Sequence, residues 1–105
     1  MVQMRYQLVV QIKPATSADL NRLVNWENAL IEYLATTAEV DGHDLGDGEF
    51  NMFIYTDDPS GTFRRIQSLP DTRRLSASMA AAYRSVDGGD YIIIWPPDLK
   101  RFDIA

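Results

Sequence analysis

Two stretches of strict alternation, separated by a stretch with a helical repeat, constrain this chain most. In residues 4–13, Tyr6, Leu8, Val10 and Ile12 fall on one side, and Arg5, Gln7, Val9, Gln11 and Lys13 on the other. A period of two is that of a strand with one buried face. Pro14 ends it, and Thr16 or Ser17 is placed to cap a helix. From 18 to 37 the apolar residues shift to helical spacing: Leu20, Leu23, Val24, Leu30, Ile31 and Leu34 form one arc, bordered by Trp26 and Tyr33. Such a helix covers a sheet. Glu27 falls inside the arc, where a carboxylate must reach outward or be buried against a partner such as an arginine or a tyrosine hydroxyl.

Residues 39–44 predict a weaker, acidic strand, followed by the turn Gly46-Asp47-Gly48. Residues 49–56 alternate again, Phe50, Met52 and Ile54 against Asn51, Phe53 and Tyr55, which makes the pair a hairpin. Asp57-Asp58-Pro59 predicts a helix start, Phe63, Ile66 and Leu69 its inner stripe, and Pro70 its stop. Residues 75–85 fit two descriptions. Leu75, Met79, Ala82 and Tyr83 have helical spacing, whereas the turn Asp87-Gly88-Gly89 and the isoleucine-rich run from Tyr91 to Trp95 favour a last hairpin of 79–85 with 90–95. The hairpin is preferred, after a short helical turn at 72–77. Pro96-Pro97 closes the strand, and 98–105 reads as a short tail.

Strand, helix, hairpin, helix, strand is the order of an α+β, ferredoxin-like βαββαβ sandwich, here with an extra strand near the C-terminus. Its two helices are expected on one face of an antiparallel sheet, in a single domain of 105 residues. The other face is then open to water or to a partner. It would present Gln7, Gln11, Asn51, Phe53 and Tyr55, with either Tyr91, Ile93 and Trp95 or Ile92 and Ile94 from the last strand. Glutamines beside aromatics suit an interaction surface.

Composition narrows the classes of function. With no cysteine, disulfides, thiolate catalysis and cysteine-ligated zinc are excluded. No apolar run approaches the roughly 20 residues that span a bilayer, and Gln7 and Gln11 interrupt what would be a signal-peptide core. A cytoplasmic setting without membrane association is expected. The net charge of −5 argues against binding a phosphate backbone. Phe53 and Tyr55 share a face, as base stacking requires, but they lack the basic residue of the RNA-binding signature, so nucleic acid is not expected as a partner. The charge is also uneven: residues 1–58 hold ten acids and three bases, residues 59–105 five acids and seven bases. Within 39–58, Glu39, Asp41, Asp44, Asp47, Glu49, Asp57 and Asp58 occur without a lysine or arginine. The halves either compensate each other or present an acidic edge to a basic partner.

The segment from Asp41 to Glu49 holds the candidate chemistry. As a calcium loop it fails, because His43 and Leu45 stand where oxygen ligands belong and Met52 occupies the twelfth position. As a transition-metal site it has one imidazole, so neither a metal nor another cofactor is expected. His43 is the only histidine and hence the only weak catalytic candidate, with Asp41, Asp44 or Glu49 available to orient it. No nucleophile motif or phosphate-binding loop accompanies it.

The run from Val40 to Pro59, Val40-Asp41-Gly42-His43, Gly46-Asp47-Gly48 and Phe53-Ile54-Tyr55 within it, followed by Phe63 and Ala82-Tyr83-Arg84, resembles a group of small uncharacterised bacterial proteins. Their hairpin reads Val-Asp-Gly-Asn/His, a Gly-x-Gly turn and a strand ending Phe-Ile-Tyr. The resemblance covers about half to two-thirds of the chain. It implies a ferredoxin-like α+β fold, with the segment at 79–85 a strand, and it brings no activity, substrate or cofactor.

The expected function is therefore a small non-enzymatic binding or interaction module, inhibitor- or immunity-like in form. It would use the open sheet face and the acidic hairpin, Asp41, Asp44 and Asp47, toward a protein partner or a second copy in a homodimer. The alternative is a small enzyme, with or without a metal, built on His43 and neighbouring carboxylates.

Overall fold

The computed structural model describes residues 4–104. Its elements run β1 (Tyr6–Ile12), α1 (Leu20–Leu34), β2 (Glu39–Gly46), β3 (Glu49–Thr56), α2 (Pro59–Gln67), α3 (Pro70–Leu75), β4 (Met79–Ser85) and β5 (Gly88–Trp95). The five strands form one antiparallel sheet in the order β2-β3-β1-β4-β5. The molecule is thus α+β.

Register makes the alternation three-dimensional. Leu8 pairs with Ile54 and Tyr83, and Val10 with Met52 and Ala81, so their side chains share the helix-covered face. Leu23, Trp26, Leu30 and Leu34 of α1, Phe63 and Ile66 of α2 and Leu75 of α3 close over them in the main core. Fully burying one such leucine stabilises the fold by about 1.5–3 kcal/mol.

Sterics and capping account for the helix ends. Before α1, a short 3-10 turn (Ser17–Asp19) begins at Thr16, whose amide donates to Asp19 Oδ2 at 2.9 Å. Asp58 caps α2, its Oδ1 accepting from the Gly61 amide at 3.0 Å with Pro59 at the first position. A Cβ on Gly61 would lie 2.1 Å from Asp58 Oδ2, so a larger residue there would make the capping carboxylate shift.

Four expectations are corrected. α2 ends at Gln67, before Pro70 as expected, but the short helical turn expected at 72–77 is a helix that Pro70 itself begins, because a ring with fixed φ and no N–H suits a first turn. The two expected helices and that turn are thus α1, α2 and α3. In α1 the buried stripe is Leu23, Trp26, Glu27, Leu30 and Leu34, rotated toward Trp26 from the expected arc, so Trp26 is core and Ile31 is 47% exposed. In β5 neither expected set holds. Ala82 pairs with Ile93 but Ala81 with Trp95, a register shift that breaks the alternation. Tyr91 and Ile93 pack on one sheet face and Ile94 and Trp95 on the other, while Ile92 is exposed. The last hairpin itself, and the strand at 79–85, are as expected.

The fourth correction bears on function. The face away from the helices is not open at its centre. Residues 96–104 fold back over it: Phe102 is buried against Val9 and Ala82, and Leu99 and Ile104 join the same cluster with Phe53, Ala80, Tyr91 and Ile93. These apolar residues of the tail follow one another at short spacing, and the sheet beneath them offers apolar surface that would otherwise meet water.

Candidate functional site

Strand alternation splits the polar hairpin between two faces. On β2, His43 pairs with Met52 and therefore lies on the helix side, while Asp44 pairs with Asn51 and lies on the tail side. The two neighbours cannot act on one ligand within the sheet.

On the helix side, α1 runs beside β2 and brings Glu27 to His43. Glu27 is 6% exposed, and its two carboxylate oxygens lie 2.9 and 3.1 Å from His43 Nδ1. The ring stacks on buried Phe50, centroids 4.9 Å apart and planes 24° from parallel. This answers the question posed by Glu27 in the apolar arc: its partner is the sole histidine. None of Asp41, Asp44 or Glu49 orients the imidazole. Nδ1 is held by the carboxylate, and Nε2 has no protein partner among the described residues. A buried carboxylate on one ring nitrogen is the arrangement that makes the other nitrogen a base or a ligand. Among the described residues, however, no three metal-binding side chains converge.

On the tail side lies a buried amide and carboxylate network. Gln11 Nε2 donates toward Asn51 Oδ1 at 3.0 Å, Glu49 Oε1 at 3.3 Å and the carbonyl of Asp103 at 3.0 Å. Asn51 Nδ2 donates to Asp44 Oδ1 at 3.1 Å and to Glu49 Oε1 at 3.2 Å. Gln11, Glu49 and Asn51 are 7%, 2% and 1% exposed, and Lys13 Nζ stands 3.9 Å from Glu49 Oε2. Gln11 and Asn51, expected at an open surface, are thus buried: Gln11 reaches the tail at the Asp103 carbonyl, and the two amides satisfy one another because buried amides must. Of the other expected surface residues, Gln7, Phe53 and Tyr55 are half-buried, Phe53 packing with the tail cluster.

The acidic edge remains exposed. β2 is an outer strand, paired only with β3, and Glu39, Asp41, Asp44 and Asp47 along it are all exposed. Asp47 and Gly48 form the two-residue turn, with φ of 52° and 79°. Aspartate tolerates this left-handed backbone and glycine favours it. None of the four acids has an ion-pair partner among the described residues. The ion pairs present join Arg5 to Asp57, Arg22 to Asp19, Arg101 to Asp103 and Lys13 to Glu49. The two halves of the chain do not neutralise each other across this edge.

Sequence reasoning missed Glu49 as a network member and the tail as a cover. A signal for the first existed: Glu49, Asn51 and Gln11 fall on one face at one end of adjacent strands. Comparison of the chain with protein-family models, with curated proteins and with solved structures finds no match in any of the three.

Proposed function

We propose that this protein is a non-enzymatic binding module whose acidic β2 edge receives a basic protein surface. The observation that carries the proposal is the run of exposed carboxylates at Glu39, Asp41 and Asp44 on an outer strand and Asp47 in its turn, none with an ion-pair partner among the described residues. Charge on an edge strand repels a second such edge, so the partner must bring the opposite sign. Electrostatic steering to such an edge accelerates encounter and weakens with salt. An inhibitor- or immunity-like protein that masks a basic enzyme surface has this form. Exposed Arg64, Arg73 and Arg74, also without ion-pair partners among the described residues, give a second copy of the chain the same complementarity. What supports the finer assignment of the fold to the ferredoxin-like sandwich is the placement of β1 between β3 and β4, with β5 added outside β4.

The test is affinity capture from native lysate at low salt, with wild type and Asp41/Asp44/Asp47→Asn as baits. A basic protein captured in stoichiometric amount by the wild type, and lost both in the variant and at high salt, is the expected result. A partner held equally by the variant, or none beyond a second copy that ignores the substitutions, sinks the proposal.

The Glu27–His43 pair favours a second reading, in which His43 Nε2 serves as a base in a small enzyme. His43→Ala separates the two: it abolishes such an activity and leaves capture through the acidic edge intact.

A further inference from the structure

We draw no further inference here: the strongest candidate, the apolar outer edge of the sheet at β5 around Ile92, 55% exposed, carries nothing because nothing in the structure shows what covers it.

Discussion

Between Glu27 and His43, a single proton-bearing nitrogen faces a carboxylate that is almost fully buried. A buried carboxylate needs a donor, and among the described residues Nδ1–H is the only side-chain one at hydrogen-bond distance. The neutral imidazole is therefore fixed as the Nδ1–H tautomer, leaving the lone pair on Nε2. Nitrogen-15 NMR at a pH where the ring is neutral should show Nδ1 protonated in the wild type. In Glu27→Met, which removes the acceptor and keeps the apolar volume, the two tautomers should mix. A wild-type spectrum with the proton on Nε2 contradicts the geometry and removes the basis for His43 as an outward-facing base. Asp19 makes a second statement at this scale. The Thr16 amide, and then its hydroxyl, donate to its carboxylate and hold its pKa below the ordinary aspartate value of about 3.9. A depressed folded-state pKa means a contribution to stability that is present above the unfolded value and lost as pH falls through the folded one. Carboxyl carbon-13 titration should place the Asp19 midpoint below that of an aspartate in an unstructured peptide, and coincident midpoints would rule the contribution out. Glu27 was conspicuous from its position in the apolar arc, but its partner was not. His43 lies 16 residues away on a strand whose register only the folded sheet defines.

Helix α3 shows how an element too short to be stable alone is retained. Six residues nucleate poorly in water, so tertiary contacts must hold them. Thr72, 1% exposed, accepts from the indole N–H of Trp26 at 2.9 Å, which ties α3 to α1 through the core. Thr72→Val keeps the shape and removes the acceptor, stranding a buried donor. It should cost about 1–3 kcal/mol in urea unfolding. Thr72→Ser, which retains the hydroxyl, should recover most of that loss. Equal losses in the two variants would assign the effect to packing. The elements differ in how plainly the chain announces them. β1, β3 and α1 were evident because each presents a whole period of apolar residues, and α2 because Asp58-Pro59 starts it. Pro70 follows the end of α2 as read, but its second role as the first residue of α3 was not, because proline both ends and begins helices and the residues beyond it decide which. The tail was read as an appendage because Leu99, Phe102 and Ile104 match neither helical nor strand spacing. Their burial follows from the sheet they lie on, which no local pattern reveals.

Over the whole molecule, charge is arranged at some expense to stability. Exposed like charges along β2 repel one another, and none of them has an ion-pair partner among the described residues. The fold does not depend on these charges. Asp44 Oδ1 accepts from Asn51, and an asparagine carbonyl accepts equally well there. Asp47 has φ of 52°, which asparagine adopts as readily. The Asp41 side chain, beside the register shift between Val40 and Gly42, makes no hydrogen bond among the described residues. Asp41/Asp44/Asp47→Asn should therefore fold like the wild type. At low salt it should be equal or more stable, by less than about 1 kcal/mol, in keeping with surface charge effects. The difference should shrink as salt screens the wild-type repulsion, with a Debye length of about 10 Å at 0.1 M and about 3 Å at 1 M. Urea unfolding of both proteins at two salt concentrations measures this directly. A triple variant destabilised by more than about 2 kcal/mol, with a gap that salt leaves unchanged, would make the carboxylates part of the hairpin's construction. A variant that is as stable as the wild type but no longer captures its partner separates the two roles. In that case the acids are retained for what they meet, since the hairpin folds without them.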